Sequence, residues 1–132
     1  MDTIQLEFEG YWTKKASVPL KSGIYCVYVG THNPSKSTVS IRSLIYIGES
    51  KNANERINSH GKEDDWKRHL KREEVLIFSF APITSSRDRA EAAMIFRHKP
   101  IENTEYENSF PFQSVQIETS GQNAQLESSF RV

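Results

Sequence analysis

Only one cysteine, Cys26, occurs in the 132 residues. A lone thiol cannot close an internal disulfide, and it excludes any multi-cysteine zinc site. It lies in the apolar run Ile24 to Val29, where a small buried hydrophobe belongs and a catalytic thiol does not. Long apolar runs are also missing: none approaches the roughly 20 residues that span a bilayer. Met1-Asp2-Thr3 has neither the basic start nor the apolar stretch of a signal peptide. A soluble, intracellular, cytoplasmic protein with no membrane partner is expected. An excess of either charge is absent too, with 17 Lys and Arg against 17 Asp and Glu. Yet residues 1–99 carry 16 basic against 12 acidic side chains, and residues 100–132 one against five. The body is mildly basic and the tail acidic, which leaves room for a positive face.

A hydrophobic share of 36% and an aromatic share of 11% are enough for one folded core. Ile4, Leu6 and Phe8 alternate with polar residues, as in a half-buried strand. Gly23 to Gly30 reads as a core strand, Thr31 to Ser40 as a loop, and Ser43 to Gly48 as the next strand of a long-looped hairpin. A helix begins near Asn52, where Asn52 or Asn54 can cap and Ala53 and Ile57 share a face. A second is expected over Glu63 to Glu74. Val75 to Phe80 is another core strand, and a helix runs from about Ser85, with Asp88 completing a capping pattern, to His98 before Pro100. Phe110 to Thr119 holds a last short strand, and Gly121 to Val132 is polar and expected to be loose. These elements give one α+β domain over residues 1–118, with a polar tail over 119–132.

Two tripeptides stand out, Gly23-Ile24-Tyr25 and Tyr46-Ile47-Gly48. The second leads through Glu49-Ser50-Lys51-Asn52 into a helix bearing Arg56 and His60; Glu91 follows in a later helix and Asn103 twelve residues beyond it. This ordered set resembles the GIY-YIG nuclease superfamily over Gly23 to about Asn103, with a motif-bearing core of 21–104. The resemblance implies a small, mostly antiparallel three-stranded central sheet flanked by helices, here with extra N- and C-terminal strands. It implies that Tyr25 and Tyr46 lie side by side, one acting as or assisting the general base. It implies Arg56 at the scissile phosphate, His60 one turn after it, Glu91 as the sole protein carboxylate binding one Mg2+ or Mn2+ ion, and Asn103 in support. The 21-residue span from Tyr25 to Tyr46 is longer than the superfamily's common connection, as in some restriction endonucleases.

The residues support the same roles physically. Phosphodiester hydrolysis needs an activated water, charge neutralisation and a stabilised leaving oxygen. Arg56 offers a bidentate fork for phosphate, and His60 shares its helix face at i,i+4. Glu91 lies between Met94 and Ile95 on its helix, where a carboxylate is costly without a cation or metal. Taken singly, each has a bland reading: core tyrosines, a solvated helix face, an Arg87–Glu91 surface pair, a turn asparagine. The expected function is a metal-dependent endonuclease acting on nucleic acid, double-stranded DNA first, with Lys36 in the 31–40 loop contacting the duplex. The alternative is a non-catalytic nucleic-acid-binding or protein-interaction module that retained the fold. Neutral charge, and the absence of an extra DNA-binding domain within these residues, point to that alternative or to an enzyme in a larger assembly or homodimer.

Overall fold

The structure is a computed structural model that describes residues 2–59 and 61–132. Six strands form one sheet: β1 (Asp2–Trp12), β2 (Gly23–Asn33), β3 (Thr38–Ser50), β4 (Val75–Pro82), β5 (Val115–Gly121) and β6 (Ser129–Arg131). Three α-helices pack on it: α1 (Ala53–Ser59), α2 (Glu63–Lys67) and α3 (Arg87–His98). A one-turn 3-10 helix, Lys15–Ser17, interrupts the β1–β2 connection. The strand order is β3-β2-β4-β1-β5-β6. Every pairing is antiparallel except β1 with β5, which run parallel from Asp2↔Val115 to Phe8↔Gly121. The fold is therefore α+β as expected, but the three-stranded sheet is corrected to six mixed strands. β1 does the joining: its first half pairs with β5 and its end with β4.

β2 is buried along Gly23 to Gly30 because both faces of the sheet are covered. Its alternation sorts the core into two layers. Ile24, Cys26 and Tyr28 point to the face where Ala90, Ala93 and Met94 of α3 meet Leu6, Phe8 and Ile117. Tyr25, Val27 and Val29 point to the face covered by Ala53 and Ile57 of α1 and Trp66 of α2. Cys26 is fully buried, and burial pushes its thiol up to about 12, far from nucleophilic use.

Several local expectations change. The 31–40 loop is mostly strand: His32↔Val39 and Asn33↔Thr38 still pair, leaving a tight turn at residues 34–37. Its Ser/Thr residues tolerate an exposed two-stranded arm as well as a loop. α2 stops at Lys67 because Trp66 is anchored in the core and the chain must turn back into β4; the Arg42 guanidinium takes the freed His69 carbonyl at 2.7 Å. α3 begins at Arg87 without the Ser85–Asp88 capping pattern; Ser86 precedes it in a left-handed conformation with no side-chain cap. Asn52 does cap α1, its Oδ1 accepting the Glu55 amide at 3.1 Å.

The tail is corrected most. Residues 119–132 are not loose: β6 pairs with β5, and Leu126 and Phe130 are buried. The sheet curls so that the β5–β6 connection returns to its far edge. Tyr28 donates to the Ala124 carbonyl at 2.8 Å, and the Ala124 amide donates to Tyr11 at 2.9 Å. The Gln125 amide accepts from the Leu44 backbone at 2.8 Å and donates to the Arg42 carbonyl at 2.9 Å, closing part of the β3 edge. A polar composition hid this, because two apolar anchors and one amide suffice. Phe130→Ala should cost about 3–5 kcal/mol of stability in urea unfolding, the usual loss for a buried Phe. An unchanged midpoint would show that the tail does not hold the curl.

Candidate functional site

Two tyrosine rings on neighbouring strands start the site. Tyr25 on β2 and Tyr46 on β3 have ring centroids 6.2 Å apart at 33°. The cross-strand partner of Tyr25 is Gly48. A Cβ at Gly48 would sit 2.3 Å from Tyr25 Cζ and 2.4 Å from its hydroxyl oxygen. The missing side chain is the seat of the Tyr25 ring. Gly23 plays the matching part against β4, where a Cβ would lie 2.1 Å from the Ala81 carbonyl oxygen. The outer glycines of the two tripeptides thus have steric reasons. Behind Tyr46 stands Trp66, with centroids 5.3 Å apart, and Lys62 Nζ lies 5.8 Å from the Tyr46 ring centre.

These rings open into a cleft of about 300 Å³ lined also by Glu49, Arg56, Lys62, Glu91, Glu102, Asn103 and Glu105. Five of the six residues singled out in the sequence therefore meet in one place. His60 lies outside the described residues. Arg56 comes from the flank of α1, whose Ala53 and Ile57 are buried, and its charge acts on both tyrosines. Glu91 comes from α3, one side facing the cleft and its neighbours Met94 and Ile95 buried. Asn103 is buried, and its amide makes a two-way pair with the Ile47 backbone: Ile47 N donates to Oδ1 and Nδ2 donates to Ile47 O, both at 2.9 Å. It holds the strand beside Tyr46 and is more than a turn residue.

Electrostatics divides the cleft. Burial, then the Glu49 and Glu105 carboxylates, push Glu91 up to about 7, against the pull of the Glu49 backbone amide. The Arg87–Glu91 surface pair does not form; Arg87 Nε donates to Glu49 at 2.9 Å, and Arg87 Nη1 to Ser22 Oγ at 3.1 Å. No salt bridge to Lys or Arg reaches Glu91 among the described residues. Burial raises both phenols above the ordinary tyrosine range. The two hydroxyls act on each other in opposite senses, Tyr46 raising Tyr25 and Tyr25 lowering Tyr46 by hydrogen bonding, and Arg56 draws both down.

A family model described as the GIY-YIG catalytic domain matches residues 24–107, well over half of the chain. The chain belongs to the GIY-YIG family. This family is generally one of nucleases, hydrolases that act on nucleic acid. No curated protein and no solved structure matches the chain. No helix among the described residues is long and apolar enough to cross a membrane.

Sequence reasoning passed over Lys62, Glu102 and Glu105 as cleft residues. Glu102 and Glu105 carry a signal in hindsight: Asn103, placed on the strand edge, must bring its neighbours with it. Lys62 had none beyond following α1. Replacing Gly48 tests the packing directly. Gly48→Ala should lower stability by about 1–3 kcal/mol through overpacking and displace Tyr25, whereas Gly61→Ala, where a Cβ meets nothing within 4 Å, should do neither. Tyrosine near-ultraviolet dichroism and thermal unfolding report both; equal behaviour of the two variants would refute the seat.

Proposed function

We propose that the cleft hydrolyses phosphodiester bonds in DNA with a single divalent cation, Mg2+ or Mn2+, held through Glu91. The observation that carries this reading is the convergence of Tyr25, Tyr46, Arg56 and Glu91, from four different elements, on one cleft. The donor set fits such an ion. Glu91 is a half-buried carboxylate in a field made more negative by Glu49 and Glu105, and no Lys or Arg among the described residues forms a salt bridge with it. Among those residues there is no cluster of three or more His, Cys, Asp or Glu placed to hold a metal. One carboxylate with water filling the remaining positions suits magnesium, which keeps much of its hydration shell. Bound there, the cation would supply positive charge at the phosphate and its leaving oxygen.

The chain's own residues supply the rest. Arg56 presents a guanidinium fork to the non-bridging phosphate oxygens, whose charge grows in the transition state. Tyr46, as phenolate, takes the proton of the attacking water. The water oxygen then forms its bond to phosphorus as the ester P–O bond breaks, the departing oxygen takes a proton from solvent, and Tyr46 returns its own to solvent. Tyr25, its ring centre 6.2 Å from that of Tyr46, favours the Tyr46 phenolate over the phenol. Asn103 keeps β3, and with it Tyr46, at the required height. His60 joins this set on the strength of the resemblance alone.

Three results test the reading. Plasmid DNA should be cut with magnesium or manganese and not with a chelator. Arg56→Ala should leave circular dichroism unchanged, since the side chain is exposed, and slow cleavage by roughly 10²–10³ for removal of one charge donor. Wild-type turnover in that variant would remove Arg56 from the site.

Glu91→Gln should abolish metal-dependent cutting. Folding raises the Glu91 carboxyl from 4.5 to about 7, so the native state holds the proton more tightly. Glu91's contribution to stability is therefore present below about 4.5 and lost as pH rises through about 7. Metal binding needs the carboxylate, so activity should climb over that same upper range. Glu91→Gln should accordingly be at least as stable as wild type at pH 8 and show a flatter stability profile. A variant that still cuts with magnesium would sink the metal assignment; binding without cleavage in the wild type would favour the non-catalytic module.

A further inference from the structure

Residues 10–23 precede the matched domain and carry Lys14, Lys15 and Lys21 with no acid. They are fastened across the start and one flank of α1. Asn54 Nδ2 donates to the carbonyls of Ala16 and Val18 at 3.1 and 2.7 Å, and Asn58 Nδ2 to Lys15 at 3.2 Å. The first amides of α1 join in, Ala53 donating to Lys21 O at 2.9 Å and Asn54 to Pro19 O at 3.1 Å. Val18 is buried beneath. At about 100° per residue, Asn54 and Asn58 lie on the opposite flank of α1 from Arg56. The fastened segment therefore places Lys14 and Lys15 across the helix from the cleft.

A second hollow, of about 340 Å³, opens on that side between the segment, α2 and β4. Lys14, Lys15 and Lys67 rim it, and Leu70, Leu76 and Phe78 floor it. Its two carboxylates are already engaged: Glu63 by Lys15 and Lys67, and Glu74 by Arg42. With Arg42 counted, four cations thus answer two acids around an apolar floor. Such a hollow suits an anionic chain that also offers sugar or base surface, and beside α1 only the Trp66 ring, 5.3 Å from Tyr46 and 6.5 Å from Phe78 between ring centres, stands between its floor and the cleft.

We propose that the hollow rimmed by Lys14, Lys15 and Lys67 is a second contact for DNA, holding its phosphate backbone across α1 from the phosphate at Arg56. A helix with side chains is about 10–12 Å wide, and a duplex strand carries one phosphate per roughly 3.4 Å of axis. The second contact therefore falls about three base pairs from the cut. This inference rests on the cleft being a DNA nuclease site, and it explains how a chain of zero net charge finds a positive track.

The test measures binding of Glu91→Gln, with and without Lys14→Gln and Lys67→Gln, to an uncut duplex across a salt series. With two lysines no longer meeting phosphate, the log–log salt slope of a duplex of about 20 base pairs should become shallower by roughly 1.8. On one of two hairpin duplexes that stop about one base pair past the cut, each truncated on a different side, the difference between the proteins should disappear, because the phosphate about three base pairs away is then missing. Equal slopes on the long duplex, or the same weakening on the long duplex and on both truncated ones, overturn the second contact. If the wild type meanwhile cuts plasmid, only this inference falls. If no duplex binds at any salt and no plasmid is cut, the nuclease reading falls with it.

Discussion

A tyrosine ring lying where a side chain is missing is the contact on which the site depends. Tyr25 is almost wholly buried, and its hydroxyl end occupies the space of a Gly48 Cβ. That seat exists only when β2 and β3 pair in this register, because a slip of one residue would send Tyr25 to the α3 face and put Ile47 opposite it. Register here is fixed by burial on both sides of β2, whose odd and even residues enter different cores. The chemistry is thus tied to the stability of the sheet's middle. Arg56 and the half-buried Glu91 come instead from the helices that cover its two faces, α1 and α3.

The edge of β3 presents the opposite problem. An unpaired edge beside the cleft invites pairing with another chain. Here the edge is answered by side-chain amides: Asn103 at Ile47, Gln125 at Leu44 and Arg42, with the Glu102 amide donating to Ile45 O at 3.0 Å. From Arg42 to Ile47 the edge is closed without a seventh strand. Because Asn103 and Glu102 do this from the stretch after α3, the same contacts deliver Glu102 and Glu105 to the cleft. Edge protection thus also brings in Glu105, which acts on Glu91 after burial and Glu49 of β3.

What could be read from the sequence follows from the range of the interactions. Period-two burial is local, so β1, β2, β3 and β4 are visible in Leu6 and Phe8, Tyr25 and Val27, Ile45 and Ile47, and Ile77. The cleft was legible in the order and spacing of Tyr25, Tyr46, Arg56, Glu91 and Asn103. The parallel β1–β5 pairing was not, because its partners are more than a hundred residues apart and neither strand names the other. The tail's docking stayed hidden for a similar reason. Residues 121–132 are mostly polar, and only Leu126, Phe130 and the Gln125 amide carry its attachment. The short α2 was overread because Trp66 and Leu70 keep helical spacing past the point where tertiary packing turns the chain.

The charge balance of the cleft explains why its groups belong together. Left to themselves, Glu91 holds a proton up to about neutrality and both tyrosines hold theirs well past it. All three are displaced toward their protonated forms, by burial first and by neighbouring charge or phenol second. A nucleophile-activating site needs the reverse. Arg56 alone lowers the phenols only partly. The apparent misfit resolves if positive charge enters with the substrate: a divalent cation favours the Glu91 carboxylate, and then the carboxylate no longer opposes a Tyr46 phenolate. On the proposed reading the cation would draw off the Glu91 proton first, and the burial that disfavours activation in the free protein would keep the tyrosines protonated until it arrives.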